Sequence, residues 1–342
     1  MTLMPRQRVL TALQHEEPDR VPIILGTSNT TTMKMQPSRG PKARLGVQSP
    51  DRYIYDWPEL GSADPDEAVL ECLRGDARSV LDRFPAHVCE RPRSRPPHTP
   101  FLDDWVSGSV GIAPDKWYPG VHPLAEATIP EEQERCPWPD MVDPSRVAHV
   151  RQLARRQAEE NRYAIIATPW LRLPLERAFA MQGMDRFLMN LAMHPVFSRA
   201  LLEKNAAPCK RLMGHFPDEL GENVDLTKIG DDLGSQDRLM ISPRMCRQVL
   251  KPIHADYVAF FRQRTKARVL VDTDGEVFEL LDDFVEIGID ILSPIPTSAG
   301  KMASVAGLKR RHGRNPVFCG AVDTHRVQPA ARRTRCARRC GA

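Results

Sequence analysis

Short apolar runs recur along the chain and alternate with segments of helical period. Seven runs read as buried strands: 21–26, 77–81, 163–168, 225–230, 268–271, 289–293 and 316–320. Six of the seven are followed by polar residues. Between them, apolar positions at helical spacing predict helices over 5–14, 66–73, 144–161, 175–181, 184–193, 195–216, 243–265, 279–287 and 305–312. In the first, Val9, Leu10 and Leu13 share a face and Pro5 suits the opening turn. Gly288 and Gly313 follow two of the others as stops. Buried strands alternating with helices predict right-handed βαβ units and a parallel sheet. The repeat fits a (β/α)8 barrel, which needs an eighth strand to close. Residues 84–143 break the pattern: they are rich in Pro and Trp and lack a period. A structureless loop of that length inside a domain is rare, so an excursion with short strands of its own is expected, with Trp105, Trp117 and Trp138 packing it.

Composition narrows the class. The chain has 342 residues, enough for a barrel with insertions. The formal charge of +4 owes much to five Arg in the last eleven residues. The body is close to neutral, so no nucleic-acid partner is expected. Eight Cys lack a secreted-type framework and read as reduced thiols of a cytoplasmic protein. No signal peptide or membrane span is expected.

In such barrels the loops after the strands form the active-site face. They offer Asn29, Trp170, Arg172, Asp231, Asp232, Gln236, Asp272, Asp274, Glu276, Asp323 and His325. Asp231-Asp232 and Asp272-Thr-Asp274 follow consecutive strands, so they are expected to converge. Four carboxylates at one mouth repel, which raises some pKa values or demands a cation. Two chemistries follow: a divalent metal on Asp272 and Asp274, or a carboxylate acid–base pair. The plainer reading is that Asp after a strand caps the next helix or closes a turn. Cys319 reads as a small core residue, and Cys336 and Cys340 have no accompanying ligands.

At these residues a family resemblance emerges. The opening Pro5-Arg-Gln-Arg-Val-Leu through Asp19-Arg-Val-Pro22, His122-Pro-Leu-Ala-Glu-Ala, Trp138-Pro-Asp, Gly230-Asp-Asp-Leu-Gly-Ser-Gln236, Ser242-Pro-Arg-Met, Gly288-Ile-Asp-Ile-Leu-Ser-Pro294, Leu308-Lys-Arg-Arg-His-Gly313 and Gly320-Ala-Val-Asp323 together resemble the uroporphyrinogen decarboxylase superfamily. That superfamily includes corrinoid-dependent methyltransferases. The resemblance implies a single barrel domain over 1–329. Its decarboxylases carry a Met-Arg-Gln-Ala-Gly-Arg motif after the first strand; here Leu25-Gly-Thr-Ser-Asn-Thr-Thr-Thr32 holds no Arg. Decarboxylation of uroporphyrinogen is therefore not expected, since the charge-assisted contacts are missing. Its corrinoid methyltransferases use a zinc site with a His-x-Cys pair where this chain has Asp272-Thr-Asp274, and oxygen ligands disfavour a thiolate-type zinc site.

The expected activity is methyl transfer to or from a small molecule, with a corrinoid on a partner protein as methyl carrier and a divalent metal such as zinc as candidate cofactor. Catalytic candidates are Asp231, Asp232, Asp272, Asp274 and His325; substrate-binding candidates are Asn29, Trp170, Arg172, Gln236 and Asp323. Decarboxylation of a porphyrinogen-like substrate is the alternative, and an inactive remnant is the third reading. The last rests on residues 330–342, which have no acid and no period. One back-translation of that tail, read two nucleotides later, spells Gly-Thr-Pro-Asp-Glu-Val-Arg-Ala-Glu-Val-Arg, the helix the resemblance implies there. An out-of-frame tail, a missing eighth strand and poor folding are the corresponding expectations.

Overall fold

The computed structural model describes residues 2–56, 61–82, 100–113, 116–170, 173–320 and 322–323. Arg172, His325 and the tail 330–342 lie outside the described residues. The strands are β1 (Ala77–Leu81), β2 (Phe101–Leu102), β3 (Gly108–Ala113), β4 (Lys116–Val121), β5 (Ala164–Thr168), β6 (Leu226–Gly230), β7 (Arg268–Asp272), β8 (Ile291–Ile295) and β9 (Val317–Gly320). Six form one sheet in the order β1-β5-β6-β7-β8-β9. Its described pairings, β1 with β5, β5 with β6, β7 with β8 and β8 with β9, are parallel. The fold is α/β with helices between the strands. Closure into a barrel is not seen among the described residues.

The chain divides into two compact units, Met1–Thr227 with Phe261–Ala267, and Lys228–Phe260 with Arg268–Ala342. The first carries helices α1 (Pro5–Leu13), α2 (Met35–Arg44), α3 (Glu67–Cys72), α4 (Val150–Glu160), α5 (Pro174–Gln182), α6 (Met184–Met193) and α7 (Pro195–Leu220). The last three pack on one another. Their shared core holds Leu175, Met181, Phe187, Phe197, Leu201, Leu212 and Phe216, all essentially sealed from solvent. Each such side chain contributes about 1.5–3 kcal/mol on burial.

One expected strand is absent. Residues 21–26 form no strand, and Val21 is 81% exposed. Pro22 supplies no backbone N–H to a ladder. A side chain takes over part of the ladder's work: the Ile23 N–H donates to the Asp76 carboxylate at 2.8 Å. The Asp76 N–H donates back to the Ile23 carbonyl, also at 2.8 Å. Asp76 is fully buried and also receives Arg8 at 2.6 Å and Arg20 at 2.7 Å. This segment is thus pinned beside the start of β1 by an ion-pair hub.

Of the expected excursion over 84–143, residues 84–99, 114 and 115 lie outside the described residues. β2, β3 and β4 form an antiparallel sheet. Trp105 is buried and meets the Trp138 ring edge-on at 5.7 Å. The Arg177 guanidinium lies 4.4 Å over the Trp105 ring and pairs with Asp103 at 2.9 Å. The Trp117 side chain lies outside the described residues.

The second unit carries a short turn of helix, Pro243–Met245, then a π-helical turn, Cys246–Leu250, then α8 (Lys251–Arg262). α9 (Leu281–Glu286) and α10 (Val305–His312) follow. The sequence predicts one continuous helix over 243–265; the structure widens it instead. Pro252 explains the break, because its ring lacks an N–H and crowds the carbonyl four residues earlier. Among the described residues, no helix is long and apolar enough to cross a membrane.

Candidate active site at the carboxyl ends of β6 and β7

β6 and β7 are hydrogen-bonded neighbours, and both end in acidic residues. The Asp231 N–H donates to the Asp272 carbonyl at 3.0 Å, which carries the pairing one step past β6. The Leu233 N–H then donates to the Thr273 hydroxyl at 3.1 Å. The Asp274 N–H donates to the Asp232 carboxylate at 2.9 Å. The two loops cross at Gly234 and Gly275. A Cβ on Gly234 would lie 2.6 Å from the Glu276 nitrogen, and one on Gly275 2.4 Å from the Gly234 carbonyl carbon. Gly275 also has φ +86°, a left-handed conformation that side chains disfavour. The turn composition of Asp272-Thr-Asp-Gly275 therefore serves a close backbone crossing.

All four aspartates of the two pairs come together here, each in a different environment. Asp231 is fully buried and accepts from His254 Nε2 at 2.9 Å. Asp272 is paired with the Lys228 ammonium at 3.0 Å, and Lys228 projects from β6 itself. Asp232 is held above the ordinary carboxylate range by burial, and further by the charges of Asp272 and Asp231, against the pull of the Asp274 N–H. Asp274 is pushed up to about 6, first by desolvation and then by the charges of Asp232 and Asp272. Its side chain reaches the solvent-exposed rim, where water screens these repulsions and limits the rise. The site relieves the repulsion of its carboxylates with one built-in lysine, one histidine donor and two carboxyls raised above the ordinary carboxylate range.

That arrangement does not fit the metal reading. Lys228 already occupies the cation position on Asp272. Among the described residues, no three His, Cys, Asp or Glu side chains form a metal-holding group. Among the described residues, a divalent ion on Asp272 and Asp274 would find no third His, Cys, Asp or Glu ligand grouped with them.

Among the other candidates, Arg172 and His325 lie outside the described residues. Gln236 is exposed, and its side-chain amide donates to the Ser298 carbonyl. Glu276 is buried; its carboxylate accepts from the Phe278, Lys301 and Met302 backbone N–H groups and so ties two loops together. Beside Glu276 opens a cleft of about 440 Å³, lined also by Arg238, Met240, Ser242, Glu279 and Lys301. In the first unit, Asn29 sits half-buried in a turn, and Trp170 packs on Tyr55 with ring centroids 4.9 Å apart. Asp323 is half-buried.

Two residues escaped the sequence reading. Asp82 follows β1, is fully buried, and accepts from the Trp170 N–H at 2.6 Å. Burial pushes its carboxyl up to about 7, against the Trp170 N–H and the charge of Arg146. Its signal was an acid directly after the predicted strand 77–81. His254 was hidden on the core-facing side of a helix, between Leu250 and Tyr257.

Asp274 makes stability depend on pH. The folded chain holds this proton more tightly than the unfolded chain, whose carboxyl titrates near 3.8. The contribution is fully present below pH 3.8 and is lost as pH rises through about 6. Urea unfolding across that window is expected to show the loss in the native chain and a flatter profile in Asp274→Asn. Parallel profiles for the two proteins would contradict it.

No protein-family model matches the chain, and no curated protein matches it. Among solved structures, a methyltransferase from Methanosarcina mazei is similar, with a TM-score of 0.52 over 85% of this chain and 76% of that one. The two are 16% identical, so the likeness concerns the fold. The chain shares its α/β fold with that protein.

Proposed function

We propose that this chain is a methyl-transfer enzyme acting on a small molecule, built on a barrel of the uroporphyrinogen decarboxylase type, with Asp232 and Asp274 as its proton-handling pair. The observation that carries the reading is the convergence of two carboxyls, both raised, at the carboxyl ends of adjacent parallel strands. When a methyl group leaves an oxygen or sulfur, the carbon–heteroatom bond breaks and its electron pair stays on the heteroatom. A neutral carboxyl beside that atom supplies the proton it needs. In the opposite direction the carboxylate removes a proton from the acceptor. The cleft beside Glu276 falls in the size range of small-molecule sites. A corrinoid on a partner protein is the proposed methyl carrier, acting as a co-substrate.

The alternative is decarboxylation, favoured by Asp82. A dry carboxyl that titrates near neutrality can protonate the carbanion left when carbon dioxide departs. Turnover separates the two. The purified protein is incubated with methyl ethers or thioethers and reduced cobalamin, and separately with carboxylated tetrapyrroles. Methylcobalamin formation is the expected result; carbon dioxide release without methyl transfer would replace the first reading with the second.

A further inference from the structure

The buried pair formed by Asp231 and His254 has no role in the reaction as argued so far. His254 is 5% exposed and Asp231 is sealed. A carboxylate can only accept, so His254 Nε2 is the donor across their 2.9 Å contact. The histidine stands where the helix pattern calls for an apolar residue, flanked by the buried Leu250, Tyr257 and Val258. Placing a polar ring there is costly unless the ring is bonded.

The backbone supplies a second, independent observation. The π-helical turn Cys246–Leu250 comes directly before the histidine's helix. A π turn takes in one extra residue and rotates the following face by about 100° relative to an unbroken helix. Such turns are uncommon and often mark functional positions. Here the rotation governs which side chain of α8 meets Asp231.

We propose that His254 is a positioning residue of the acid–base site, donating through Nε2 to Asp231 so that this carboxylate stays fixed in place beside Asp232. The inference rests on the proposed role of Asp232 and Asp274 and adds what sustains it. Asp231 is one of the charges that hold Asp232 up. Without its donor, the Asp231 carboxylate is free to turn away, and its charge no longer sits fixed beside Asp232. The other ionisable groups around His254 are committed elsewhere. Arg247 and Lys251 bind Asp283 at 2.9 and 2.8 Å. The Cys246 thiol is pushed up to about 12, by burial and then by Asp231 and Asp283. His254 also lines a small cavity of about 20 Å³ with Leu233, Leu250, Lys251 and Phe284 among others.

The test needs no substrate, so its outcome is independent of the methyl-transfer reading. Aspartate carboxyls of the full chain are labelled with carbon-13 and titrated by NMR, with Asp232→Asn identifying the Asp232 signal. The native chain is compared with His254→Gln, whose amide places a donor near the Nε2 position, and with His254→Leu. The Asp232 midpoint is expected to stay in place in His254→Gln and to shift down in His254→Leu. His254→Asn, which keeps a polar amide but falls short of Asp231, is expected to match His254→Leu and guards against a leucine variant that does not fold. A folded His254→Leu or His254→Asn chain with an unmoved Asp232 midpoint would overturn the proposal.

Discussion

Replacing Asp274 by Asn is expected to lower methyl-transfer turnover by about 10²–10⁴-fold, the usual contribution of a general acid. The amide preserves size and shape but cannot release a proton. Substrate affinity should change much less, because the loss concerns the transition state. The pH profile carries the sharper signature. With Asp274 titrating at about 6, the acid form fades above that point, so donation from it should weaken from pH 6 upward. Asp274→Asn should lose that limb. Steady-state kinetics across the pH range check both. Unchanged turnover with the limb intact would remove Asp274 from the mechanism.

The largest effect on stability is expected at Asp76→Ala. The carboxylate is fully buried and collects Arg8, Arg20 and the Ile23 N–H. The Arg8 side chain is only 4% exposed. Removing the acid strands that guanidinium with one fewer anion and releases residues 21–26 from the start of β1. Breaking a buried pair by deleting one partner costs about 3–5 kcal/mol, a large part of a typical domain's stability. Asp19, which also receives Arg8 at 2.6 Å, moderates the loss. Denaturant unfolding of Asp76→Ala measures it, and a loss below about 1 kcal/mol would show that the hub is dispensable.

Six of the seven expected strands form, because their apolar runs are long enough to be buried and the turns after them are polar. The exception, 21–26, looked like the others by hydropathy. What overrode hydropathy was a single missing N–H at Pro22 and a distant acid, Asp76, ready to bond Ile23. Periodicity does not register either. The same holds at Pro252, where the 3.6-residue pattern runs on unbroken while the backbone widens into a π turn.

The acidic site was readable as far as convergence: two acid pairs after consecutive strands must lie close if the strands pair. Which of two outcomes would relieve the crowding, a cation or raised carboxyls, depended on Lys228. Its position on β6 points to Asp272 only once the register of the sheet is known. His254 and Asp82 were not readable, since one masquerades as a core position and the other, though it follows a predicted strand, is marked out only by burial and by the distant Trp170 N–H. Long-range partners, rather than local pattern, decide the chemistry at each of these places.

The proton-holding character of the carboxyl pair is the centre of this account, and the titration of Asp274 tests it most directly. Carbon-13 NMR of aspartate-labelled protein should place the Asp274 midpoint at about 6. The midpoint should move down in Asp232→Asn, where a neighbouring charge is gone. An Asp274 carboxyl that titrates near 3.8, and does so equally in the native chain and in Asp232→Asn, would contradict it.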